Sequence, residues 1–220
     1  GLQAGMFAGD GEPLLNPDII DIVGDAFENG IETAFTTNAV PLKQRFVESS
    51  LHKVSWIKVS MNAGDAEAYA AIHQTAEKDF GRVWENLEFA VKHREDERLE
   101  VALGVQSLIL PDNLHTLDDL VMRARSVGLD YVVLKPYVHN VYMLQEGYSH
   151  LDYTAKEYSE TLSALKQKYD DDVFHVVART NALMKLVVEQ DSYSTCLSTP
   201  ALWFYVSGNG DVYACGAHVG

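Results

Sequence analysis

Apolar positions recur along this chain in two periods. Short runs rich in β-branched and aromatic residues occupy positions 5–8, 33–37, 56–61, 100–106, 131–135 and 174–179, and each reads as a buried strand. Between them apolar residues return every three or four positions, the period of an amphipathic helix. One such helix opens at Asn16-Pro17, carries Ile19, Ile20, Val23 and Phe27 inward and ends near Gly30. A second opens at Asp79 and carries Val83, Leu87 and Val91. A third begins at Thr116 with Asp119 as an imperfect capping box and stops at Gly128. Thr154 with Glu157 opens a fourth. Strands alternating with helices predict parallel βα units, and six of them suit an open or closed β/α barrel. The fold class expected is therefore α/β, a partial (β/α)6 barrel.

In such a barrel the ligand sits at the C-terminal ends of the strands, and there this chain places its polar residues. In strand order they are Asp10, Gly11 and Glu12; Thr36, Thr37 and Asn38; Ser60 and Asn62; Gln106 and Ser107; Lys135 and Tyr137; and Arg179. Taken singly, Thr36, Asn62 and Ser107 read equally well as turn or cap residues. Their recurrence at one rim is the signal. The first rim segment, Gly9-Asp10-Gly11-Glu12-Pro13, joins glycines that allow close approach of a ligand to a carboxylate suited to an ammonium group.

The pattern changes over the last thirty residues. Trp203-Phe204-Tyr205-Val206 and Asp211-Val212-Tyr213-Ala214-Cys215 flank Ser207-Gly208-Asn209-Gly210, which reads as a β-hairpin with its turn. The expected organisation is a barrel core over 1–190 and a small region over 191–220. The two cysteines of the chain, Cys196 and Cys215, frame this hairpin. Metal or iron–sulfur ligation is one reading of them, and two structural thiols are the other. Two thiolates alone make too few ligands for either kind of centre.

Length and charge narrow the partners. At 220 residues the chain can bury one large core, and its net charge of −15 opposes any general affinity for nucleic acid. The acidic runs Glu95-Asp96-Glu97 and Asp170-Asp171-Asp172 read as solvated loop caps and receive no role. No apolar run approaches the roughly twenty residues that span a bilayer, and no signal-peptide pattern opens the chain, so a cytoplasmic location without membrane contact is expected. The opening at Gly1 and the stop after a hairpin lead us to expect an excised or incomplete fragment.

These segments resemble the radical SAM enzymes that carry a C-terminal SPASM or twitch domain. Gly9-Asp10-Gly11-Glu12-Pro13 resembles the GGE motif, with Asp10 where glycine is usual, and Phe35-Thr36-Thr37-Asn38-Ala39 resembles the strand ending in Thr-Asn-Gly, with Ala39 replacing glycine. The segment 56–64 resembles the family's fourth strand through Ser60 and Asn62, and the segment 69–75 resembles the helix start after it. Val105-Gln106 and Leu134-Lys135-Pro136-Tyr137 resemble the fifth and sixth strand ends. Cys196, Gly210 and Cys215 match the opening of the SPASM cysteine pattern.

The resemblance implies reductive cleavage of S-adenosylmethionine by a 4Fe-4S cluster to a 5′-deoxyadenosyl radical that abstracts hydrogen from a substrate. It implies Gly11 and Glu12 on the methionyl amine, Ser60 and Asn62 on ribose or carboxylate, and Lys135, Pro136 and Tyr137 near adenine. Asp10, Thr37, Asn38 and Gln106 complete the implied cofactor set, and Gln106, His139 and Arg179 can face cofactor, substrate or only the fold. Cys196 and Cys215 are the implied ligands of an auxiliary cluster. An electron donor such as flavodoxin or ferredoxin and a peptide, protein or small-metabolite substrate are the implied partners.

One departure is decisive for this chain. The family's Cys-x3-Cys-x2-Cys loop is absent, because only Cys196 and Cys215 exist, and the chain alone is expected to be inactive. Two other classes fit the same rim. One is a cluster-free β/α-barrel lyase with Lys135 as a Schiff-base residue, and the other is a noncatalytic barrel that binds a peptide or partner protein.

Overall fold

The computed structural model describes residues 1–9, 11–137, 148, 151–153, 156–179 and 203–214. The chain forms two units, Gly1–Val187 and Val188–Gly220.

The first unit is built on a six-stranded sheet, β1 (Ala4–Phe7), β2 (Glu32–Thr37), β3 (Val54–Ser60), β4 (Ala102–Ile109), β5 (Tyr131–Pro136) and β6 (His175–Ala178). Every neighbouring pair is parallel, and the spatial order is the chain order. Parallel crossovers are right-handed, so an order without reversal puts every connecting helix on the same face of the sheet. The helices are α1 (Ile19–Glu28), α2 (Gln44–Ser50), α3 (Ala66–His73), α4 (Glu77–Glu97), α5 (Leu117–Val127) and α6 (Lys156–Tyr169). This is the expected partial (β/α)6 barrel.

The one-sided arrangement divides the strand residues. On the helix side Phe35, Ile57, Val59, Leu103, Val105, Val132, Leu134 and Val176 are each at most 1 % exposed and join Val23, Trp84, Leu87, Leu120 and Leu162 in one core. The alternate positions, among them Thr36, Lys58, Ser60, Gln106 and Lys135, line the other, inner face and stay half-exposed. The core therefore holds the sheet from behind and leaves its inner face for other chemistry.

Side chains tie the layers together. Arg94 of α4 donates to Asp130 Oδ2 at 2.5 Å and to the Gly128 carbonyl at 2.7 Å, and Leu103 N–H donates to the same Asp130 oxygen at 2.6 Å. One carboxylate thus aligns the starts of β4 and β5 beneath α4. Arg125 of α5 donates to the Tyr169 carbonyl and to Asp171, both at 2.5 Å, and so fixes the end of α6.

Several helix starts differ from expectation for physical reasons. Asn16 accepts the Asp18 N–H at 2.9 Å but closes a short 3-10 turn at Pro13–Leu15, and α1 begins only at Ile19. The helix expected at Asp79 begins at Glu77, and the hydroxyl of Thr75 binds Asp79 Oδ2 at 2.5 Å. The Thr116–Asp119 capping box does not form, because the Thr116 hydroxyl donates to the Asn113 carbonyl and accepts Gly64 N–H, both at 2.9 Å. The stop at Gly128 holds, at φ +91°. Thr154 lies outside the described residues.

The second unit contains the expected hairpin, β7 (Tyr205–Val206) antiparallel to β8 (Val212–Tyr213), with Gly210 at φ +90° in its turn. Among the described residues no helix is long and apolar enough to cross a membrane.

Candidate ligand site at the strand ends

Glu12 organises the first corner of the rim. It ends the β1 loop and caps the 3-10 turn by accepting Leu14 N–H on Oε1 at 3.1 Å. The same oxygen accepts the Thr37 hydroxyl at 2.6 Å, and Oε2 accepts Asn38 N–H at 2.7 Å. A carboxylate offers about four acceptor positions, so these three bonds leave capacity on Oε2 for a further donor. Glu12 is half-buried, and its geometry is set by β1 and β2 together.

Thr37 and Asn38 serve that corner rather than its opening. Thr37 is 3 % exposed, donates to Glu12 and accepts Ala39 N–H at 2.9 Å, while the Asn38 side chain accepts Val40 N–H at 2.9 Å. Ala39 stands at φ +57° and fully buried, the left-handed conformation that favours glycine. The backbone here thus has the geometry that the Thr-Asn-Gly pattern anticipates, although the residue is alanine. Asn86 of α4 locks the turn by donating to the carbonyls of Ala39 and Val40 at 2.9 and 3.2 Å.

Asn62 stands at the second corner, after β3. Its Oδ1 accepts Leu108 N–H at 2.9 Å, its carbonyl accepts the side-chain amide of Asn113 at 2.7 Å, and its N–H donates to His73 Nε2 at 3.2 Å. The last bond requires His73 to be unprotonated at Nε2, and burial holds its pKa below the usual imidazole value. Its ring also stacks on Tyr69 with centroids 4.3 Å apart. Asn113, fully buried, accepts Leu110 N–H at 2.9 Å and donates to the Leu108 carbonyl at 2.7 Å. These bonds join the rim loops of β3 and β4 into one rigid edge.

The third corner is pinned by Tyr153. Its hydroxyl donates to the Ile109 carbonyl at 2.7 Å and accepts Tyr137 N–H at 2.8 Å, so the ends of β4 and β5 are held at one oxygen. Burial pushes this phenol up to about 12, and it stays protonated.

Ser60, Gln106 and Lys135 lie on the inner face below these loops. Ser60 pairs in register with Gln106, and Leu108 pairs with Lys135. Gly11 is exposed with open space around its α-carbon, and Pro136 is buried at the end of β5. Asp10, His139, Cys196 and Cys215 lie outside the described residues. The sequence reading missed Lys58, which occupies the same inner face in register with Thr36 and Gly104, its Nζ 5.2 Å from the Trp56 ring centre. An inward lysine in a strand of so acidic a chain was the available signal. Among the described residues no cluster of His, Cys, Asp and Glu can hold a metal ion.

No protein-family model matches the sequence, and no curated protein matches it. Solved structures do match in fold. SuiB of Streptococcus suis bound to S-adenosylmethionine aligns over 99 % of this chain with a TM-score of 0.72 and 17 % identity. The fold is shared. The chain spans 50 % of the length of that SuiB structure. Native anSMEcpe with bound AdoMet aligns over the whole chain and 62 % of its own, with a TM-score of 0.64 and 16 % identity. A domain of pyruvate-formate lyase-activating enzyme from Bacteroides vulgatus aligns over 80 % of this chain and 98 % of its own, with a TM-score of 0.59 and 13 % identity.

Proposed function

We propose that this chain is the S-adenosylmethionine-binding core of a radical SAM enzyme. The observation that carries the reading is Glu12, a rim carboxylate fixed by three hydrogen bonds with acceptor capacity remaining. Two proteins of the same fold bind S-adenosylmethionine, which supports it.

The residues present suit that cofactor. Glu12 accepts the methionyl ammonium, with Gly11 admitting it close to the backbone and Thr37 and Asn38 holding the carboxylate in place. Ser60, Asn62 and Gln106 offer hydroxyl and amide groups for ribose or carboxylate, and Pro136 and Tyr137 beside Lys135 receive the adenine. Asp10, next to Gly11 in the sequence, completes the cofactor set we assign. When bound, S-adenosylmethionine supplies the sulfonium from which the family draws its hydrogen-abstracting radical. The protein contributes orientation and exclusion of water.

The catalytic cluster does not fit this chain, whose two cysteines cannot be its three thiolates. No step is assigned to it, and the chain alone binds without cleaving. We assign Cys196 and Cys215 to an auxiliary iron–sulfur site of a SPASM-like region, and an electron donor and a peptide, protein or small metabolite to the complete enzyme.

Equilibrium dialysis of the full chain with radiolabelled S-adenosylmethionine tests the reading. Saturable binding is expected, weakened at least tenfold (about 1.4 kcal/mol) by Glu12→Gln, with an unchanged circular-dichroism melt showing that the fold survives. No binding to the wild-type chain, or equal binding by a folded Glu12→Gln, overturns it.

One observation favours a second reading. Lys135 is held below the usual lysine range by burial, then by Lys58 and Arg179, the condition for an amine that forms a Schiff base. Borohydride trapping of an aldehyde or ketone on Lys135, lost in Lys135→Met, would establish the lyase instead.

A further inference from the structure

Lys58, Lys135 and Arg179 all belong to the inner face of the sheet, on β3, on β5 and directly after β6. Lys58 lies on β3 at the level of Gly104 and Tyr131, and Lys135 lies further along β5 opposite Leu108. Arg179 follows β6 directly, its N–H donating to the Leu134 carbonyl at 2.9 Å, which sets it beside Lys135. The strand between Lys58 and Lys135 presents Gly104, over which the Tyr131 ring lies. A Cβ there would fall 2.4 Å from that ring, so at that level the only side-chain bulk over the central strand is the Tyr131 ring itself.

Lys135 feels both of the other cations, and Lys58 feels Arg179. Burial, then Arg179, lowers the Lys58 pKa, and burial, then Lys58 and Arg179, lowers that of Lys135. No described carboxylate pairs with any of the three. From Thr36 upward the inner positions Ser60, Gln106, Leu108, Val133 and Val177 add no negative charge. This is notable in a chain with 32 acidic and 17 basic residues, whose other described lysines repeatedly find carboxylates. Half-buried cations placed together raise one another's cost, and a cleft of one sign concentrates ligands of the other.

We propose that Lys58, Lys135 and Arg179 form a receptor for an anionic group of the substrate, a carboxylate or a phosphate, so that this barrel acts on an acidic substrate. The inference rests on the reading of the rim as a cofactor site, since it places the substrate on the inner face beside it.

Two probes test it on the full chain, inorganic phosphate and the dicarboxylate glutarate. Each is titrated while the backbone amide signals of Gly104, Gln106 and Val133 are followed by NMR, with and without saturating S-adenosylmethionine. Expected are saturable shifts for one or both probes in the presence of S-adenosylmethionine, with the tighter probe naming the group. Affinity should fall at least tenfold in Lys58→Met and in Lys135→Met, and hold in Lys78→Met, which removes the same charge from exposed α4. Absence of saturable shifts overturns the proposal, as does equal weakening by Lys78→Met. Displacement of the probe by S-adenosylmethionine also overturns it, because the cations then serve the cofactor's own carboxylate. A chain that binds the probes through these lysines but never binds S-adenosylmethionine refutes the cofactor reading alone.

Discussion

The side-chain amide of Asn113 donates to the carbonyl of Asn62 at 2.7 Å, and through this bond a buried asparagine holds the loop that follows the neighbouring strand. Asn113 also serves Leu108 and Leu110, so three backbone groups depend on one side chain. Asn113→Ala would leave them without it in a site closed to solvent. Unsatisfied buried groups cost about 1–3 kcal/mol each, and partial relaxation should bring the total to about 3 kcal/mol. A urea titration should show the unfolding free energy falling by that amount, and a loss below about 0.5 kcal/mol would refute the dependence.

Gly64 has no room for a methyl group. A Cβ there would lie 2.1 Å from the Thr116 carbonyl and 2.7 Å from Leu120 N, both backbone atoms of α5 or its first turn. Gly64→Ala must therefore push the β3 loop away from α5 and break the bond from Gly64 N–H to the Thr116 hydroxyl. The cost should reach about 3 kcal/mol, the upper part of the overpacking range. Thermal melting should fall by several degrees, whereas Gly11→Ala, in open space, should leave the melt within about 1 °C.

Acid should loosen the entry to β6. Amide hydrogen bonds from Phe174 and Val173, then Arg125, hold the Asp171 carboxyl down to about 2, against 3.8 for the ordinary side chain. A depressed folded value stabilises the ionised form, so its contribution is present above pH 4 and is lost as the pH falls from about 4 to about 2. Asp171→Asn retains an acceptor for both amides but cannot titrate. Between pH 5 and pH 2 the melting temperature of the wild-type chain should fall more steeply than that of the variant, and parallel profiles would exclude the mechanism.

Much of this architecture could be read from the residues, and the exceptions are instructive. The strand runs lay within a few positions of the observed strands because buried parallel strands are nearly continuous in apolar residues. Helix α2, seven residues long, is too short to establish a period. The Thr116 hydroxyl was unreadable as anything but a cap, since its partner Gly64 lies fifty-two residues away. Asp170 and Asp171, given no role from their composition, build the turn into β6 through bonds to Val173, Phe174 and Val176. At the rim, Glu12 was legible as a carboxylate following the glycines of the first loop. That Thr37 and Asn38 hold it in place depends on the parallel pairing of β1 with β2, which no local pattern states.

The one-sided sheet bears on how such a chain can change over generations. Its cohesion resides behind the strands, in Phe35, Ile57, Leu103, Val132 and their helical partners, while the reactive selection of side chains stands in front. If the proposed roles hold, an inherited substitution at Lys58, Gln106 or Lys135 alters what is recognised and leaves the hydrophobic support intact. The scaffold can therefore be retargeted one residue at a time, with folding and specificity exposed to selection on opposite surfaces of the same six strands.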